Sequence, residues 1–270
     1  MIQQALNCGD WVIQGGKVIG HYHENIQRNC QDAYYFSLVN DTCFGVVSDG
    51  CGESQFSEVG SNMIVNYIAK KIRDFILFDE KNPITEIPIE LFNNCRAYIR
   101  TQLCMTSNDK TLEIENLNNY WLSTISGFII DKEVTVIFYT RDGFICVNDT
   151  LTNLDIGNPP FLGYNCLLHP QEAGMPENLL RSNFEVEIFD SKTVNRLMIS
   201  TDGFATVNID KCKRKNNDNP PSLHEQQWNH KGKIALKLWM NQKRNMGYFE
   251  DDCAIIVAER KSYNDSQNCC

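Results

Sequence analysis

The sequence predicts an α+β fold. Apolar strands divided by short polar turns open the chain, two amphipathic helices interrupt them, and strands return after residue 120. Strands joined by tight turns normally pair antiparallel. At 270 residues the chain suits one large domain or two small ones.

Segment 11–20 carries Trp11, Val12, Ile13, Val18 and Ile19 about Gly15-Gly16, and reads as two strands joined at the glycine pair. Polar segment 21–29 follows. Strands are expected over 33–39 and through Phe44-Gly45-Val46-Val47-Ser48, around an Asn40-Asp41 turn. In 57–79, Ile64, Tyr67, Ile68, Ile72 and Phe75 recur at helical spacing, with Lys70, Lys71, Arg73 and Asp74 on the other face. A second such helix spans 89–105, and 108–119 reads as a polar loop. Further strands are expected over 121–130, 133–139, 143–147, 184–189, 196–200 and 253–258, with a last helix over 230–244. Segment 153–183 holds Pro159, Pro160, Pro170 and Pro176 without clear period and reads as an irregular surface excursion. Segment 208–229 reads as a polar insertion. The expected organisation is a single domain over 1–260 with a loose tail over 261–270.

Hydrophobic residues at 42% and charged residues at 22% describe an ordinary soluble globular chain. A net charge of −9 argues against nucleic acid or an anionic membrane surface as partner. No apolar run approaches the roughly 20 residues that span a bilayer, and 1–10 lacks a signal-peptide core. The 12 cysteines are scattered without a C-x-x-C pair, which argues against structural zinc and for reduced thiols in a cytoplasmic protein.

Chemistry is concentrated at strand ends. Asp49 follows Val46-Val47-Ser48 and precedes Gly50-Cys51-Gly52. Asp202 follows Leu197-Met198-Ile199-Ser200-Thr201 and precedes Gly203. Asp251 and Asp252 precede the last strand. If these strands are neighbours, the carboxylates converge and raise one another's pKa unless a cation neutralises them. Mg²⁺ and Mn²⁺ suit such oxygen ligands. Two such ions about 3.5–4 Å apart can activate water and clamp a phosphoryl group. Neither G-x-S-x-G nor H-E-x-x-H occurs.

The ordered motifs resemble those of the metal-dependent protein phosphatases of type 2C. Asn29-Cys30-Gln31-Asp32-Ala33 is similar to the early acidic motif, and Val47-Ser48-Asp49-Gly50-Cys51-Gly52 to Asp-Gly-His-Gly-Gly. Tyr139-Thr140-Arg141-Asp142-Gly143 resembles Gly-Asp-Ser or Gly-Asp-Gly, and Ser200-Thr201-Asp202-Gly203-Phe204 resembles Ser-Asp-Gly. The stretch from Glu250 to Val257 resembles the closing Asp-Asn-x-Thr strand, and Gly20-x-x-His23 with Gln31-Asp32 is closest to a bacterial branch.

The resemblance implies two packed antiparallel β-sheets flanked by helices, a four-layer α-β-β-α sandwich. It implies two Mn²⁺ or Mg²⁺ ions, bridged by Asp49, with the Gly50 carbonyl, Asp202 and Asp251 as further ligands and Asp32 supporting metal-bound water. Asp142 would serve a third ion, and 153–183 would include a flap beside the cleft. The implied reaction is attack of a metal-bridged hydroxide on phosphoserine or phosphothreonine of a phosphorylated protein substrate.

Several positions depart from the pattern. Cys51 stands where the family often has a proton-donating His, which makes His23 a candidate acid. Gln31 replaces a common Glu. Arg28 lies one place from the usual phosphate-binding Arg. Thr206 stands near the third-ion site in place of Asp. Asp252 replaces Asn, and is expected behind the ligands or facing solvent rather than as a spare ligand. These departures keep open an inactive binding or regulatory module, and a phosphatase of small metabolites is a third reading.

Overall fold

The computed structural model describes residues 6–78, 83–107, 109–148, 150–167, 177–205 and 235–261. Its strands are β1 (Leu6–Cys8), β2 (Trp11–Val18), β3 (Ala33–Val39), β4 (Thr42–Ser48), β5 (Ser126–Ile130), β6 (Val134–Tyr139), β7 (Phe144–Val147), β8 (Thr150–Asn153), β9 (Glu185–Asp190), β10 (Arg196–Ser200) and β11 (Cys253–Arg260). Its helices are α1 (His21–Asn25), α2 (Ser57–Phe78), α3 (Ile87–Thr106), α4 (Lys110–Tyr120) and α5 (Ala235–Asn245).

The strands form two antiparallel sheets. One is six-stranded, ordered β1-β2-β11-β10-β7-β8; the other is five-stranded, ordered β3-β4-β5-β6-β9. Between them lies a buried apolar layer including Ile13, Phe36, Val47, Phe128, Leu197 and Ile256. The outer face of the five-stranded sheet packs on α2, α3 and α4 through Phe44, Val46, Ile64, Ile68, Phe92 and Leu117. The outer face of the six-stranded sheet packs on α5 through Met198, Ile255, Trp239 and Met240. Each such side chain, fully buried, contributes about 1.5–3 kcal/mol before the entropy of ordering is subtracted. The expected α-β-β-α sandwich is therefore present.

Three local expectations change. The glycine pair does not turn the chain: β2 runs straight through it, paired with β11 from Trp11↔Arg260 to Val18↔Cys253. A Cβ on Gly15 would lie 2.7 Å from Phe36 Cε1, and one on Gly16 would lie 2.9 Å from Met240 Sδ. The glycines are there because both neighbouring layers approach the strand closely. The expected loop over 108–119 contains helix α4, whose N-cap Asp109 accepts a hydrogen bond from Leu112 N at 2.9 Å. Only Leu117 of this helix is buried, so its apolar stripe is too short to show a period. The excursion is not wholly superficial, because Phe161, Leu162, Cys166 and Leu167 are buried in the helix-side core.

The expectations for Thr206, the polar insertion over 208–229, the first residues of the last helix and most of the tail lie outside the described residues. Cys30, Cys43, Cys51, Cys95, Cys104, Cys146, Cys166 and Cys253 are free thiols. Among the described residues, no helix is long and apolar enough to cross a membrane.

Candidate metal centre

Antiparallel register delivers the acids to one end of the sandwich. Ala33 pairs with Ser48, so Asp32 at the start of β3 sits beside Asp49 at the end of β4. Ser200 pairs with Ile255, so Asp202 follows β10 near Asp251 and Asp252, which precede β11. The crossover from β6 to β7 carries Asp142 from one sheet to the other. A cleft of about 450 Å³ opens there, lined by His23, Asp32, Asp49, Gly50, Asp142, Asp202 and Asp251, together with Cys51, Asp155 and Asp252.

The loop after β4 is tightly fixed. Thr124 N donates to Asp49 O at 2.9 Å and Cys51 N donates to Leu122 O at 2.9 Å. A Cβ on Gly50 would lie 2.7 Å from Gln31 O. Gln31 is buried beneath the loop and its amide donates to Cys51 O at 3.3 Å, Ser54 O at 3.1 Å and Ser57 Oγ at 2.7 Å. These acceptors explain why the position carries Gln: a carboxylate there would face carbonyl oxygens with nothing to donate.

Oxygens of Asp49, Asp142 and Asp202 lie within 4.8 Å of one another. Burial first, then the charges of Asp202, Asp32, Asp142 and Asp251, hold the Asp49 carboxyl well above its ordinary range. Burial, then Asp142 and Asp251, push Asp202 up to about 7. Asp32 is also raised, chiefly by burial; its Oδ2 accepts from Thr201 Oγ1 at 2.5 Å, while its buried Oδ1 has no hydrogen-bond partner. Crowded oxygen donors, raised acids and an orphaned carboxylate oxygen fit a hard divalent cation.

Asp251, half exposed, groups instead with His23 and Asp252. Asp252 is buried, not solvent-facing. Its Oδ1 accepts from Gly20 N at 2.8 Å and its Oδ2 from Gln31 N at 2.6 Å. His23 Nδ1 lies 2.9 Å from the same Oδ2, off the line of a hydrogen bond. Arg28 is not in the cleft wall; its guanidinium donates to the Gly52 carbonyl beside it.

Sequence reasoning missed Asp155 and Thr201 in the site and the bracing part of Asp252. A signal for Asp155 existed in Asn153-x-Asp155-x-Gly157: Asp155 N donates to Asn153 Oδ1 at 2.9 Å and Gly157 N to Asp155 Oδ1 at 2.6 Å.

Comparisons with known proteins bear on the fold and the family. No match is found among curated protein sequences. A structure of the catalytic domain of the serine/threonine protein phosphatase PstP with two manganese ions matches at TM-score 0.58 and 11% identity, covering 92% of this chain and 97% of that one. The serine/threonine phosphatase Stp1 from Staphylococcus aureus matches at TM-score 0.54 and 11% identity, covering 97% and 98%. RsbX in complex with magnesium matches at TM-score 0.51 and 12% identity, covering 96% and 99%. At these identities the likeness shows a shared fold. The family profile described as protein phosphatase 2C matches residues 19–242, well over half of the sequence. The chain belongs to the protein phosphatase 2C family.

Proposed function

We propose that this chain is a Mn²⁺- or Mg²⁺-dependent phosphatase of phosphoserine and phosphothreonine in proteins. The observation that supports this most is the convergence of Asp49, Asp142 and Asp202 within 4.8 Å in an open cleft. Three carboxylates so placed need a compensating positive charge, and neither Lys nor Arg lines the cleft among the described residues.

In this reading Asp49, the Gly50 carbonyl, Asp202 and Asp251 hold two ions, Asp32 orients a water, and Asp142 serves a third ion. Manganese in the PstP structure and magnesium in the RsbX structure support that loading. Such ions, when bound, supply Lewis-acid charge to phosphoryl oxygens and lower the pKa of water. The chain's own residues do the rest. Gln31, Thr124 and Leu122 hold the Asp49 loop rigid. Arg28, outside the cleft wall, braces the loop by donating to the Gly52 carbonyl. The Asp252 carboxylate stands beside the His23 ring, 2.9 Å from Nδ1, and would pair by charge with its protonated form. The ring Nε2 lies 3.9 Å from where a Cβ on Gly52 would sit. There it can carry a proton to the leaving alkoxide. The open cleft suits a loop of a phosphorylated protein, and the free thiols suit a reducing compartment such as the cytoplasm.

Cys51 in the loop favours the second reading, a weak or inactive binding module. One assay decides: Mn²⁺-dependent hydrolysis of an aryl phosphate and of a phosphothreonine peptide, compared with an Asp49→Ala, Asp202→Ala double variant. The phosphatase reading expects turnover of both substrates by the wild type and background rates for the variant. Equal rates for the two proteins in both assays would falsify it.

A further inference from the structure

The crossover from β6 to β7 carries three consecutive residues in the left-handed region: Arg141 at φ +81°, Asp142 at +88° and Gly143 at +91°. Gly143 suits that conformation, and a Cβ there would lie 2.3 Å from Ser200 O. Arg141 and Asp142 do not suit it; side chains are disfavoured there and persist only where the surroundings over-determine them.

Asp142 N donates to Leu154 O at 3.4 Å, Leu154 N to Gly143 O at 2.9 Å and Gly143 N to Asp142 Oδ1 at 2.9 Å, so the far side of the crossover is held by backbone. The restraint on Arg141 comes from the edge of the five-stranded sheet. Arg141 Nε donates to Glu185 Oε1 and Nη2 to Glu185 Oε2, both at 2.5 Å. This is the bidentate fork that fixes orientation as well as distance. One register step inside, Glu185 pairs with Tyr139, and Tyr139 Oη donates to Glu187 at 3.0 Å. Strand β9 thus spends two of its three half-buried positions on Glu185 and Glu187, with Phe189 at the third, while Val186 and Ile188 stand 37% and 56% exposed. An edge strand built only for packing would have the opposite pattern. Beyond the clamp, the backbone delivers the Asp142 carboxylate to Asp49 and Asp202, where like charges push it outward.

We propose that Glu185 is a positioning residue: by clamping Arg141 it keeps the crossover in its left-handed form and holds the Asp142 carboxylate in the acidic cluster. Its consequence for cation binding rests on the metal reading above, and Asp142 is the only ligand it concerns.

The test is Mn²⁺ titration calorimetry on the full chain, with folding checked by circular dichroism. Glu185→Gln and Asp142→Asn should each weaken the weakest Mn²⁺ step by about tenfold, and the double variant should match Asp142→Asn alone. Arg141→Gly guards against a variant that merely misfolds, because glycine removes the backbone conflict. It should melt no lower than wild type yet weaken the same step. If wild type binds Mn²⁺ while folded Glu185→Gln or Arg141→Gly binds it equally well, or if the effects of Glu185→Gln and Asp142→Asn add, the positioning role is overturned and the metal reading survives. A wild-type chain that binds no Mn²⁺ overturns the metal reading, and this inference with it.

Discussion

Asp49 reaches the acidic cluster at the end of a buried central strand, and Asp142 reaches it on a strained crossover tied to a sheet edge. The Asp49 loop is braced on several sides: backbone bonds to Leu122 and Thr124, the Gln31 amide below, and no positive φ from Asp49 to Gly52. The Asp142 crossover has two non-glycine residues at positive φ, backbone bonds to Leu154 on one side and a single arginine–carboxylate fork on the other. Such a residue costs of order 1–3 kcal/mol. One acid is fixed by redundancy and the other by tension, so damage at the two places should have different signatures.

The largest effect is expected from Gly50→Ala. The added methyl would meet Gln31 O at 2.7 Å, and that oxygen is itself held by Ser61 Oγ at 2.5 Å. Displacing the loop should lower Mn²⁺-dependent turnover of an aryl phosphate by about 100-fold or more. An effect under tenfold would show that the loop is less rigid than its bonds suggest. Next comes Gln31→Glu, which removes donors from Cys51 O and Ser54 O and buries an unpaired charge. Urea unfolding should report a loss of about 3 kcal/mol; a neutral result would mean that the loop rearranges freely.

The pH dependence follows in size. Asp202 titrates near 7 in the fold against an ordinary 3.8, so the metal-free fold binds protons that the unfolded chain releases. That contribution is full below about pH 4 and is lost as pH rises through about 7. The metal-free melting temperature should therefore fall across this window, and Mn²⁺ should restore it at the alkaline end, where ligands are deprotonated. A melting temperature that rises from pH 5 to 8 without metal would contradict the crowding. The smallest effect is expected from Cys51→Ser. Cys51 serves the loop through its backbone N–H and carbonyl, so aryl phosphate turnover should stay within about threefold. A loss of two decades would make the sulfur a participant in proton transfer.

Much of this was legible before any coordinates. Asp49 and Asp202 announce themselves as acids between an apolar strand and a glycine, and the helical period of Ile64, Ile68 and Ile72 is unambiguous. What escaped depends on neighbours distant in sequence. Gly15-Gly16 looks like a turn until Phe36 and Met240 are seen pressing on it. Helix α4 buries one leucine and so leaves almost no periodic trace. Asp252 looks like a spare acid until Gly20 and Gln31 are found donating to it. Arg141 shows nothing unusual locally; only its φ and the distant Glu185 reveal strain and restraint.

Asp252 also sets the order in which the cleft can be completed. Its carboxylate fastens Gly20 and Gln31, residues 232 and 221 positions earlier. The five-stranded sheet and helices α2, α3 and α4 draw on residues 33 to 190 alone, whereas the six-stranded sheet joins both extremes of the described chain. At ribosomal speeds, roughly 10–50 s separate the synthesis of Gly20 from that of Asp252. During that interval Asp32 and Asp49 can already share a folded sheet, while β2 waits for β11 and His23 lacks the carboxylates that stand beside it in the finished fold. A nascent chain halted short of residue 251 would carry Asp32, Asp49, Asp142 and Asp202 but lack Asp251, Asp252 and the strand that joins β2 to β10.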